Sequence, residues 1–213
     1  MPDAVLVGGT AAAIHAGHRL SRDADHVLTD LRARFDSLLA ELESVAGWST
    51  ARVNRPILIL GSLDGIETGI RQLIREEPLE TEEVLVAGAP LRVPTPAEML
   101  RIKAVLVLRR NATRDYVDLA AMTDHLGMAA AVDALRPFDR LYPQRSGESP
   151  LQQLAIQLAA PLPYDLEGTC LAEYKHLSSR WHDWSAVHAP CAELASRILD
   201  EILDAAAPND AEA

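Results

Sequence analysis

This 213-residue chain has little cysteine, no long hydrophobic run and no excess of positive charge. Its longest apolar run, near Ala104–Leu108, is far too short to span a bilayer, so no membrane partner is expected. It opens Met1-Pro2-Asp3, with neither a basic nor an apolar leader segment, and no secretory signal is expected. Cys170 and Cys191 are the only cysteines. They read as free thiols of a reducing, cytoplasmic protein, with a disulfide as the alternative. No internal repeat is present, and no low-complexity segment beyond the acidic tail from Ala205. A net charge of −11 argues, taken alone, against a polyanionic partner.

The composition, 48% hydrophobic and 24% charged, is that of a globular chain long enough for one domain or two small ones. Charge is unevenly spread. Residues 101–114 carry Arg101, Lys103, Arg109, Arg110 and Arg114 without an acid, and the last two dozen residues are strongly acidic. Such a patch can steer phosphates on an acidic protein, or be a solvated helix end.

Apolar spacing lays out the elements. Ala4–Val7 reads as a strand, Thr10–Arg19 as an alanine-rich helix and Arg22–Leu28 as a second strand. Thr29 is placed to cap an amphipathic helix built on Leu31, Phe35, Leu38, Leu39 and Leu42. Strands are expected over Ala51–Leu60, Ile66–Arg75 and Glu83–Val93, with turns at Gly61–Gly65 and Glu76–Pro78. Thr95, Pro96 and Glu98 form a helix start with the marks of a capping box. Helices follow at Pro96–Arg109, Thr113–Leu126, Met128–Leu135, Leu151–Leu158, Leu171–Ser179 and Ala186–Ala206. The fold class is α+β: a small mixed sheet with flanking helices over residues 1–110, a helical domain over 111–207 and a disordered acidic tail at 208–213.

Gly8-Gly9-Thr10 opens a helix, where bare N–H groups attract an anion. Asp23 and Asp25 stand two apart, so on a strand both side chains leave one face. Carboxylates held side by side repel unless a cation sits between them, and an oxygen-only pair suits Mg²⁺ or Mn²⁺. The alternative is a turn with two solvated acids. Lys103 interrupts an apolar helix, where a lysine must snorkel, pair or meet an anion. Asp118, flanked by Val117, Leu119 and Ala120, is its natural partner. His15 and His18 lie at i, i+3, but without a nearby cysteine they do not suggest zinc and read as surface or phosphate-proximal. Trp181 and Trp184 read as packing residues rather than a base-stacking platform.

In order and spacing, these motifs resemble the AbiEii/AbiGii (MenA-like) nucleotidyltransferase toxins of the DNA polymerase β-like superfamily. The stretches that carry the resemblance are Leu6-Val7-Gly8-Gly9-Thr10-Ala11, His18-Arg19-Leu20-Ser21-Arg22-Asp23-Ala24-Asp25, Val93–Ala104 and Arg109–Leu119. The resemblance implies a polymerase β-like nucleotidyltransferase domain followed by a helical one. It implies transfer of a nucleotide from a nucleoside triphosphate to an acceptor such as a tRNA end, by a toxin with a cognate antitoxin or a phage-defence role. Asp23 and Asp25 would hold the metal. Gly8, Gly9, Thr10, Arg19, Ser21 and Lys103 would bind the nucleotide, and Asp118 would complete the catalytic set of Asp23, Asp25 and Lys103. A third carboxylate usual in the superfamily is expected near Gln72, where this chain has an amide; Glu67 or Asp64 is the alternative. Loss of that acid would leave a nucleotide-binding or partner-binding protein. Transfer to a small molecule or a protein side chain is the other enzymatic reading.

Overall fold

The computed structural model describes residues 3–203. The chain divides into two compact units, Met1–Glu98 and Met99–Ala213, and the boundary falls in the first turn of a helix.

In the first unit, β1 (Val5–Leu6), α1 (Gly8–Ala16), β2 (Ala24–Leu28) and α2 (Leu31–Glu43) lead into β3 (Trp48–Asn54), β4 (Leu58–Leu63) and β5 (Ile66–Gln72). These strands form one sheet in the order β1-β2-β5-β4-β3. Only β2 and β5 run parallel, with Asp25 opposite Gly69 and Leu28 opposite Gln72. A separate hairpin pairs β6 (Thr81–Val86) with β7 (Ala89–Pro94). Leu28, Ile59 and Ile70 of the sheet bury against Leu31, Phe35, Leu38 and Leu39 of α2. Alternation along the strands then turns Asp25, Leu60, Ser62, Gly69 and Arg71 to the opposite face. One sheet face is thus sealed by a helix and the other is left open.

Several sequence-based boundaries shift. The glycine pair lies inside the first turn of α1 rather than before it, and the helix ends at Gly17 in a left-handed conformation. Thr29 does not cap α2; the backbone N–H of Arg32 donates to Gln72 Oε1 at 2.9 Å, so the cap comes from a strand 40 residues away. The expected strand Ala51–Leu60 is a hairpin, β3 and β4, because the chain turns at Arg55–Ile57. Glu83–Val93 is likewise a hairpin, turned at Ala87-Gly88, where both residues have positive φ.

The second unit is helical. Its described residues run through α3 (Pro96–Arg110, begun in the first unit), α4 (Thr113–Leu126), α5 (Met128–Leu135), α6 (Phe138–Leu141), α7 (Pro150–Ala159) and α8 (Trp184–Ile198), followed by a π turn at Leu199–Leu203. Thr95 Oγ1 accepts from the Glu98 N–H at 3.2 Å as a cap should, but the Glu98 carboxylate pairs with Arg75 instead of closing a box. The helix expected over Leu171–Ser179 is two short 3₁₀ turns, Leu171–Glu173 and Ser179–Trp181. Lys175 and His176 between them have positive φ, which no helix accommodates. Trp181 is buried, and Trp184 meets Tyr116 edge to face at 5.9 Å, so these rings pack helices together. The expected end of the last helix at Ala206 and the tail at 208–213 lie outside the described residues.

Candidate active site

The D-x-D begins one residue before β2 and is clamped from behind by the glycine motif. The backbone N–H of Val7 donates to the Asp25 carbonyl at 2.7 Å, and the Thr10 hydroxyl donates to the Asp23 carbonyl. Thr10 therefore ties α1 to the aspartates. Its hydroxyl proton is spent there. Gly8 has φ of 74°, and a Cβ on it would come within 3.1 Å of Asp25 Oδ2. A Cβ on Gly9 would overlap the Arg19 guanidinium. The glycine pair is thus small because a carboxylate and a guanidinium press on it. Arg19 is almost fully buried, and Ser21 is half-buried on the segment leading to Asp23.

On the open sheet face, Asp23 and Asp25 line a cleft of about 560 Å³ with Glu67, Gly69 and Arg71 of β5 and Ser49 and Ser62 of β3 and β4. Of the charged side chains there, Arg71 escaped the sequence reading, whereas Glu67 is one of the two alternatives named for the third carboxylate. Arg71 Nε stands 3.8 Å from Asp25 Oδ1, and Glu67 shares its strand face with Gly69 and Arg71. Their signal was the period of β5, counted from the register partner of Asp25. Gln72 lies three residues from Gly69, hence on the reverse face. Its Nε2 donates to the Thr29 carbonyl at 2.7 Å, and its Oε1 caps α2. The amide at position 72 is therefore a structural residue of the sealed face, not a vacant acid position at the cleft. On that reverse face, burial draws the His26 imidazole below its ordinary pKa.

His15 and His18 are buried rather than superficial. The His15 ring reaches the Pro94 carbonyl at 2.8 Å and joins α1 to the hairpin. Among the described residues no group of three or more His, Cys, Asp or Glu is arranged to hold a metal.

Lys103 and Asp118 lie in the second unit, and the structure brings them together. Lys103 Nζ is 2.6 Å from Asp118 Oδ2 and 3.7 Å from Asp115 Oδ1, with all three side chains almost fully buried. Asp115 is the member that sequence reading passed over. Its Oδ2 has no hydrogen-bond partner, and burial pushes its carboxyl above the ordinary aspartate range despite the nearby lysine. Lys103 thus sits between two carboxylates, nearer to Asp118 than to Asp115. Cys191 is buried, Cys170 is exposed, and both are free thiols.

No protein-family model matches the chain. It is 34% identical over 130 residues, 60% of its length, to the heme uptake protein MmpL11 of Mycobacterium tuberculosis. It is 34% identical over 135 residues to the mycolic acid-containing lipids exporter MmpL11 of Mycolicibacterium smegmatis. The chain spans about 13% of the length of these relatives, whose transport roles belong to the whole proteins. Among the described residues no helix is long and apolar enough to cross a membrane. Among solved structures, the antibiotic-resistance factor ANT(2'')-Ia matches with a TM-score of 0.50 and 14% identity, over 64% of this chain and 82% of that one. An antigenic nucleotidyltransferase-like protein from Paracoccidioides brasiliensis gives a TM-score of 0.45 and 18% identity, over 68% and 82%. The small mixed sheet with its flanking helices is the nucleotidyltransferase fold.

Proposed function

We propose that the protein is a metal-dependent nucleotidyltransferase that moves a nucleotide from a nucleoside triphosphate to an RNA acceptor such as a tRNA end, as the toxin of a toxin–antitoxin or phage-defence pair. The observation that carries this reading is the placement of Asp23 and Asp25 on an open sheet face, beside a glycine turn, in a cleft of about 560 Å³. The donor set suits the group it would hold. Mg²⁺ is commonly bound by one or two carboxylates together with substrate phosphates, so a pair suffices when the nucleotide brings the rest.

An acceptor hydroxyl attacks the α-phosphorus, the bond to the β-phosphate oxygen breaks, and pyrophosphate leaves. A bound divalent cation would supply charge neutralisation on the phosphates. The chain itself contributes alignment. Gly8 and Gly9 allow phosphates close to the backbone N–H groups of α1, with Arg19 beside them. Arg71 offers a guanidinium fork to the same phosphates. Lys103 and Asp118 act as a coupled pair within the helical unit, the aspartate holding the lysine in place at 2.6 Å. Ser21, next to the aspartates in sequence, is the hydroxyl that a cognate antitoxin would modify.

A second reading keeps the chemistry and changes the acceptor to a small molecule; the net charge of −11 favours it, since acidity disfavours nucleic acid. Incubation with each α-³²P-labelled nucleoside triphosphate, Mg²⁺ and total tRNA, beside Asp23→Ala, separates the two. Label on RNA that depends on Asp23 supports the leading reading. Label absent from RNA but found on a small acceptor supports the second.

A further inference from the structure

The helical unit contains a cavity of about 310 Å³ whose wall includes Thr113, Arg114, Val117, Tyr164, Asp165 and Tyr174. We propose that it receives a base of the single-stranded RNA acceptor, stacked on Tyr164, with Arg114 on the adjoining phosphate. This rests on the RNA reading above and adds a place for the strand.

Tyr164 carries the argument. It is 77% exposed, although a tyrosine ring loses much by standing in water. Its loop is nonetheless rigidly held. The Tyr164 N–H donates to the Asn111 carbonyl at 3.0 Å, and Asn111 Nδ2 donates to the Leu162 carbonyl at 2.9 Å. Asn111 Oδ1 is in turn fixed by the Tyr116 hydroxyl at 2.6 Å and by Gln157 at 2.9 Å. An exposed aromatic on a pinned backbone is preorganised for stacking, and the ordering cost of binding is correspondingly low.

The charges at the cavity fit a nucleotide phosphate. Arg109, Arg110 and Arg114 are exposed around the α3–α4 corner, and Lys175 lines the cavity with positive φ. The one acid of the lining, Asp165, is occupied. Its Oδ1 accepts from the Thr113 N–H at 2.7 Å and the Thr113 hydroxyl at 2.8 Å, capping α4. Exposed Glu167, and Glu173 in the 3₁₀ turn that follows, leave the surroundings mixed in sign. Stacking therefore dominates, and few phosphates are engaged.

The test is fluorescence anisotropy of a labelled single-stranded RNA of about ten nucleotides, a length within the span of such sites. Wild-type protein binds. Tyr164→Ala weakens binding about tenfold or more, and Tyr164→Phe retains it, as stacking on a base requires. Arg114→Gln weakens binding and flattens its dependence on log salt by about 0.7. Both sites are exposed, so the variants fold. Failure of the wild type to bind RNA, or equal binding by wild type and Tyr164→Ala, overturns the proposal. Asp25→Asn keeps the Tyr164-dependent binding. If RNA binds through Tyr164 but no nucleotide is ever transferred, the catalytic reading fails and this site stands. If RNA is labelled equally by wild type and Tyr164→Ala, this site fails and the catalytic reading stands.

Discussion

The carboxylate of Asp25 lies directly against the backbone of Gly69, its register partner across the parallel strands β2 and β5. A Cβ at position 69 would overlap Asp25 Oδ1. Gly69→Ala is therefore expected to displace the carboxylate while leaving the sheet intact. Misplacement of a reacting group by about 1 Å can cost ~100-fold, so transfer activity should fall by about that factor. Circular dichroism should show the wild-type fold, and an activity equal to wild type would show that Asp25 is not held for catalysis.

Lys103→Met should destabilise the helical unit strongly. It leaves Asp115 and Asp118 buried without their cation, and removing one partner of a buried pair costs about 3–5 kcal/mol. In urea denaturation the midpoint should drop accordingly. Replacing Asp118 by Leu in the same variant should recover much of the loss, because the second buried charge is then gone.

Asp115 sets a pH dependence of the opposite sense to an ordinary ion-paired acid. Its carboxyl is raised in the folded protein, so the native state holds the proton to higher pH than the unfolded chain does. The contribution of Asp115 to stability is full below the unfolded aspartate range near 4 and declines as pH rises through the folded value. Asp115→Asn should remove that decline, matching or exceeding wild type in denaturation midpoint at neutral pH. A variant markedly less stable than wild type at pH 7 would show that the ionised carboxylate is needed by Lys103.

The two cysteines should separate cleanly. Burial pushes the Cys191 thiol up to about 12, and Cys170 is exposed. A colorimetric thiol reagent should titrate one thiol in the native protein and a second only after unfolding in guanidinium chloride. Two thiols reacting at once in the native state would contradict the packing of α8.

The sequence carried the α+β class and the identity of the D-x-D face, because a period of two along a strand needs no partner to be read. Lys103 and Asp118 were legible for a similar reason: charge inside an apolar helical stripe demands a counter-charge. What could not be read was register. The pairing of β2 with β5 decides that Gly69, Arg71 and Glu67 share the face of Asp25 and that Gln72 points the other way. The hairpin turns at Arg55–Ile57 and Ala87-Gly88 were hidden inside continuous β-prone stretches. Asp115 escaped because its environment is made by tertiary packing, not by its neighbours in sequence.

The central claim is that Asp23 and Asp25 align a nucleoside triphosphate for transfer. Its most direct test is incubation of wild type and Asp25→Asn with α-³²P-labelled nucleoside triphosphates, Mg²⁺ and total tRNA, followed by separation on a denaturing gel. The account predicts label on RNA for wild type, dependent on Mg²⁺, and at least about a hundredfold less for Asp25→Asn. Equal labelling by the two proteins, or none by wild type with any of the nucleotides, would contradict it.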